Sequence, residues 1–185
     1  MKRRNLLLAC SAGWVAACST TDGPADPAAK RREIDAGVDS ALADLYARSP
    51  SSRELVAKSQ GVLVFPKIVS AGFIIGGSYG QGALRKGGAT AGYYSVGAGS
   101  VGLLAGAQSK AMYLLFMTED ALKKFEDSKG WTAGVDASVV MLDEGAAASA
   151  STRTMVAPVI GYVRSTEGFM ANLSLDGTKF SKLTL

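Results

Sequence analysis

Residues Ser95–Gly106 read SVGAGSVGLLAG and set glycines at 97, 99 and 102, the G-x-G-x-x-G spacing of a dinucleotide-binding turn. Whether they form one decides between an α/β fold and an antiparallel one. The phosphate-cradling version needs a strand before the glycines, a helix opening at the third and an acid about twenty positions on. Glu119 and Asp120 supply the acid. The helix has no room, because only Leu103 to Ser109 separate Gly102 from KAMYLLFM (Lys110–Met117), and Gly106 interrupts them. A crossover takes roughly ten residues or more, so the stretch reads as a glycine-rich strand or hairpin.

The same device stands upstream. In GFIIGGSYGQG (Gly72–Gly82) one alternating set carries Phe73, Ile75, Gly77 and Tyr79, and the other carries Gly72, Gly76, Ser78, Gly80 and Gly82 around Ile74. A strand with one nearly bare face lets another backbone approach closely or bends sharply. Thirteen of the 22 glycines lie between Gly61 and Gly106, with a turn at Gly87-Gly88, so the bareness is regional. MYLLFM (Met112–Met117) is apolar on both faces and suits a fully buried strand. Thr118-Glu119-Asp120 starts a helix through ALKKFEDSK, with acids first and lysines after. WTAGVDASVVML (Trp131–Leu142) alternates as one half-buried strand, Asp143 to Thr154 reads as a loop, and VIGYVRS and GFMANLSLDG read as two closing strands.

Toward the N-terminus the period changes to that of a helix. Ile34, Val38, Leu42 and Leu45 share a stripe, with Asp35, Asp39 and Asp44 off it. Ser51 and Glu54 stand at capping-box spacing ahead of a second short helix. The class is α+β: a single domain with a bent or barrel-like, mainly antiparallel sheet, an N-terminal amphipathic helix and one or two further short helices.

Composition narrows the chemistry. Histidine is absent, and the two cysteines, Cys10 and Cys18, both fall in the first eighteen residues. Ser-His-Asp and Cys-His catalysis and His-ligated zinc are thereby excluded. The G-x-S-x-G match at Gly76–Gly80 leaves Ser78 without its usual base. Asp136, Asp143 and Glu144 have no fixed separation that would make a glycosidase pair. No enzymatic activity, cofactor or metal is expected.

Lys2, Arg3 and Arg4 ahead of NLLLACSAGWVAA and the small pair Ala16-Ala17 read as a signal peptide over residues 1–17, too short for a membrane span. VAAC resembles a bacterial lipobox, which makes Cys18 the lipidation site. Residues 18–29, including the proline-bearing STTDGPADPAA, read as a tether to a domain at 30–185. Removal of Lys2, Arg3 and Arg4 leaves 17 basic against 16 acidic side chains, which removes the electrostatic footprint of nucleic-acid binding. Local basic residues remain. Lys30, Arg31 and Arg32 open the first helix, and Lys58 and Lys67 follow, as candidate contacts for the headgroups of a phospholipid membrane.

The blocks GVLVFPKIVSAGFIIGGSYGQG (Gly61–Gly82), GAQS (Gly106–Ser109), GVDASV (Gly134–Val139) and YVRSTEGFMANLSLDG (Tyr162–Gly177) resemble, in order and spacing, those of the SYLF domain family. Phe65, Pro66, Lys67, Gly72, Gly76, Gly77, Tyr79 and Gly80 match its glycine-rich core. The resemblance implies the shared fold. Eukaryotic members bind phosphoinositide-rich membranes through an N-terminal amphipathic helix, some are described as actin-binding, and bacterial members are typically secreted or lipidated. The expectation is therefore a lipid-anchored envelope protein, in the outer membrane since Ser19 rather than Asp follows Cys18, whose domain binds membrane lipid. The alternative is a structural or protein-interaction module of the envelope, including actin-like or host-protein binding.

Overall fold

The computed structural model describes residues 26–72, 75–101, 106–142, 157–165, 168–169, 175 and 177–185. Two helices, α1 (Pro27–Arg48) and α2 (Pro50–Lys58), precede the strands β1 (Gly61–Gly72), β2 (Ile75–Lys86), β3 (Ala89–Val101) and β4 (Gly106–Phe116). Helix α3 (Glu119–Asp127) is followed by β5 (Trp131–Thr132), β6 (Val139–Leu142), β7 (Val159–Ser165), β8 (Gly168–Phe169) and β9 (Lys179–Leu183). The nine strands form one sheet in the order β5-β9-β3-β2-β1-β4-β7-β6, with β8 beside β7. Every pairing between these strands is antiparallel except β6 on β7. The α+β class with a bent, mainly antiparallel sheet is the one the sequence implies, and Ser95–Val101 is strand rather than phosphate loop.

Long strands joined by short connections make β1 to β4 the spine of the sheet. Gly87 and Gly88 both adopt positive φ, 58° and 86°, the geometry of a two-residue hairpin turn matched to strand twist. Trp131 and Phe180 from one end of the strand order and Val159 and Val163 from the other lie in one core cluster. The sheet therefore curls around that face into a half-barrel, which α3 closes with Leu122 and Phe125. Thr118 caps α3, its side chain accepting from the Ala121 N–H at 3.2 Å, as the sequence indicates.

The convex face carries a second core. Val62, Val64, Ala83, Tyr113, Leu115, Ile160 and Tyr162 face α1, which buries Ile34, Val38, Ala41 and Leu45 against them. Met112 to Phe116 are buried throughout because β4 is covered on both sides. In β1 the buried face changes parity, from Leu63 and Phe65 to Ile68, because the ladder shifts register between Phe65 and Ile68. This bulge pushes backbone toward β2. A Cβ on Gly80 would lie 2.8 Å from the Lys67 carbonyl oxygen, and one on Gly82 would overlap the Val64 carbonyl. The bare face of β2 is thus the room that the bulge needs.

Several local expectations are corrected. Trp131–Leu142 is two strands, broken by a turn in which the Asp136 carboxylate accepts from the Thr132 N–H at 2.5 Å and Gly134 takes a φ of 81°. Helix α2 starts at Pro50 with Ser49 as its cap residue, so Ser51 lies inside it and Glu54 pairs with Lys58 instead of closing a capping box. Helix α1 begins at Pro27, three residues before the expected domain start at Lys30, because Pro27 presets the first turn and Asp26 accepts from the Ala28 N–H. Of GFMANLSLDG, Gly168–Phe169 is strand and residues 170–174 and 176 lie outside the described residues, whereas Lys179–Leu183 forms a strand that the alternation did not flag. The expected loop Asp143 to Thr154 lies outside the described residues.

Gly80→Ala should lower stability by about 2–3 kcal/mol, a drop of roughly 4–12 °C in Tm, because backbone stands where the methyl must go. Gly99→Ala, with nothing within 4 Å of the added carbon, should leave Tm nearly unchanged. Thermal unfolding of the two variants checks this, and equal Tm values would refute the role given to the bulge.

Candidate functional site

Helix α1 crosses the convex face along one row of the ladder. The pairings Tyr93↔Ala83, Ala83↔Val64, Val64↔Tyr113 and Tyr113↔Tyr162 set these five outward side chains in line under it. Apolar burial provides the seat and polar contacts fix its position. Asp35 accepts from the Thr90 hydroxyl at 2.7 Å and from the Tyr93 hydroxyl at 2.8 Å. Arg85, its side chain only 13% exposed, donates to the Asp39 carboxylate at 2.7 Å and stands 3.4 Å from Asp35. At the other end Arg164 pairs with Asp44, and the Tyr113 hydroxyl donates to the Ala41 carbonyl at 3.0 Å.

Burial of three large apolar side chains, Ile34, Val38 and Leu45, is worth on the order of 5–9 kcal/mol. Packing therefore keeps α1 on the sheet, and the Asp–Arg pairs select its register. The tyrosines beneath stay neutral. Burial raises Tyr113 above the usual phenol range and pushes Tyr162 up to about 12, and Tyr93 is raised by burial and then by its bond to Asp35.

The expected headgroup residues are only partly gathered. Lys30, Arg31 and Arg32 lie together on the first turns of α1, where Lys30 pairs with Glu33 at 2.9 Å, Arg32 stands 3.7 Å from Asp26, and Arg31 donates to the Leu185 carbonyl. Lys58 ends α2 and pairs with Glu54 at 2.6 Å, which holds the Glu54 carboxyl below its ordinary value. Helix α2 packs beside Leu42, Ala43 and Tyr46, the later turns of α1, so Lys58 is not part of the Lys30–Arg32 cluster. Lys67 is exposed in the β1 bulge, next to Pro66, whose Cγ lies 3.1 Å from where a Cβ on Gly37 would be. Cys18 and the signal segment lie outside the described residues.

Between α1, α2 and the β2–β3 turn runs a groove of about 510 Å³, floored by Leu42, Val56 and Val62 and edged by Tyr46 and Arg85. The Arg53 guanidinium stacks 4.9 Å from the Tyr46 ring centroid beside it. On the opposite face the Ser78 hydroxyl is 2.8 Å from that of Ser70, so the partner of the G-x-S-x-G serine is another serine. Arg85 and Arg164 are the positioning residues that sequence reasoning missed. Their signal was parity: Arg85 alternates with Leu84, and Arg164 with Val163, on the side that faces the acids of α1.

Residues 97–184 match the family described as Ysc84, Las17-binding protein actin regulator, the family of the SYLF domain. That stretch is similar to the SYLF domain family. The match begins within β3 and runs through β9. β1 and β2, which hold the Gly61–Gly82 block, are hydrogen-bonded into the sheet between the matched strands β3 and β4. Among curated proteins none matches the chain.

Proposed function

We propose that this is a non-enzymatic, lipid-anchored protein of the bacterial envelope, acylated at Cys18 and held at the outer membrane, whose SYLF domain binds phospholipid at the membrane surface. The observation that carries this reading is the exposed basic start of α1. Lys30, Arg31 and Arg32 follow Cys18 by about a dozen residues, and because α1 begins at Pro27 only about eight residues separate the cysteine from the helix that carries them. An anchored domain would thus hold these cations near the headgroups. Glu33 and Asp26, the partners of Lys30 and Arg32, are exposed, and pairs of that kind contribute about 0–1 kcal/mol, comparable to the roughly 1 kcal/mol that each cation gains near an anionic surface. Because the stripe of α1 is buried, the seated helix meets lipid with its charged side rather than its apolar one.

A second reading, a protein-interaction module, has its own support. Val69 and Tyr79, partners in the β1–β2 ladder, are 43% and 56% exposed on the convex face beyond α1. The family description names Las17 binding and actin regulation.

Two measurements test the proposal. Palmitate labelling should leave Cys18→Ser unlabelled and unprocessed while Cys10→Ser is labelled normally; label retained in the Cys18 variant refutes the anchor. The unacylated mature chain should float with phosphatidylglycerol vesicles at low salt. Changing Lys30, Arg31 and Arg32 to Gln should weaken that binding by up to about 3 kcal/mol, a difference that added salt removes. Unchanged flotation of the triple variant rules out these residues, and no flotation of the parent chain favours the protein-interaction reading.

A further inference from the structure

The concave face of the half-barrel is layered along its strands. At the α3 end Phe116, Phe125 and Trp131 form an aromatic cluster that reaches Phe180 and Phe65. Ile68, Val96, Met112 and Val163 follow as a buried aliphatic layer. The next residues on the same face are set by register. Ile68 pairs with Lys110, Ser70 with Gln108 and Ser78, and Lys110 with Ser165. Lys110 lies two residues before Met112, and Ser70 two after Ile68, so both keep the concave parity. The apolar interior thus ends in a rim of polar side chains around one ammonium group.

Lys110 is the singular member of that rim. It is half-buried, and among the described residues its ammonium makes no hydrogen bond or ion pair. The lysines of the β1–β2 hairpin differ: Lys86 pairs with Glu126 at 3.1 Å, and Lys67 is exposed. Burial lowers the Lys110 pKa, a cost that an arriving anion offsets. The Ser70 and Ser78 hydroxyls, 2.8 Å apart, share one hydrogen bond between two O–H groups. Whichever serine donates, the other keeps a proton to give. The Gln108 side chain, exposed at the same level, adds amide donors. A cation with hydroxyl and amide donors, and no carboxylate among the described rim residues, matches an oxyanion.

We propose that Lys110, with the Ser70–Ser78 hydroxyl pair and Gln108, forms an oxyanion site on the concave face that takes a phosphate group, carried by a phospholipid headgroup or by a free phosphoester. The headgroup case rests on the membrane reading above; the free-phosphate case does not. The site is on the opposite face of the sheet from α1 and the Lys30–Arg32 cluster, so the two are separable by mutation.

The test is titration of the mature chain with inorganic phosphate and with dihexanoylphosphatidylglycerol below its micelle concentration, followed by amide shifts in β1, β2 and β4. Lys110→Gln should weaken binding at least tenfold, Lys110→Arg should retain most of it, and Ser78→Ala should weaken it about threefold. Circular dichroism should match the parent in all three. Binding of phosphate alone assigns a free phosphoester, and binding of the short lipid alone assigns a headgroup. No binding of either ligand at millimolar concentration, or binding within twofold of the parent in Lys110→Gln, overturns the site. If vesicles fail to float the protein while Lys110-dependent phosphate binding persists, the membrane reading falls and the site stands. If vesicles float parent and Lys110→Gln alike and neither small ligand binds, the site falls and the membrane reading stands.

Discussion

Arg85 lies under α1 with its charge facing Asp35 and Asp39, and the geometry of the whole convex face is referred to that contact. The helix buries an apolar stripe, but a stripe alone permits sliding by a turn. The Asp35 bonds to Thr90 and Tyr93 and the Asp44 pair with Arg164 fix both ends, across a row that runs from β3 to β7. A slip of one turn would strand buried or half-buried charges, each at a cost of several kcal/mol, so the polar contacts enforce a placement that packing stabilises. What α1 can offer a membrane follows from this seat. Its basic first turns lie off the buried stripe, and its apolar side is committed to the sheet.

The second constraint is the bulge in β1. By shifting parity between Phe65 and Ile68 it keeps the concave core apolar while the strand continues beyond α1. The extra backbone needs space on β2, which Gly80 and Gly82 supply. The same four strands then extend past both cores with small side chains, leaving Val69 and Tyr79 on one face and the Lys110 rim on the other. At Gly80 and Gly82 glycine makes room for backbone, whereas a Cβ on Gly97 or Gly99 would meet no atom closer than 3.9 Å, so the dinucleotide spacing answers no such demand there.

The fold class was legible because its evidence is local. Period-two alternation, the Gly87-Gly88 turn, the doubly apolar MYLLFM and the Thr118 cap each act within a few residues, and each appears where the sequence puts it. What failed depended on partners distant in sequence. β9 is a five-residue segment between β5 and β3 whose ladder to β3 lies more than eighty residues away. The break at Gly134 follows from an Asp136 side-chain bond that alternation does not register. The site was legible in its basic start, Lys30 to Arg32, and in the stripe. It was not legible in its acids, which look solvated on a helical wheel and are in fact directed at Arg85 and Arg164. Charge patterning along one helix cannot reveal a complementary charge on a strand some fifty or more residues on.

Helix α1 is an integral layer of the domain rather than a detachable membrane helix. Hydrogen exchange of the unacylated mature chain in the absence of lipid tests this most directly. If α1 is seated as described, the amides from Ile34 to Leu45 should exchange as slowly as those of the α1-facing part of β1, through a cooperative opening. Fast exchange across α1 with the sheet still protected would contradict the account.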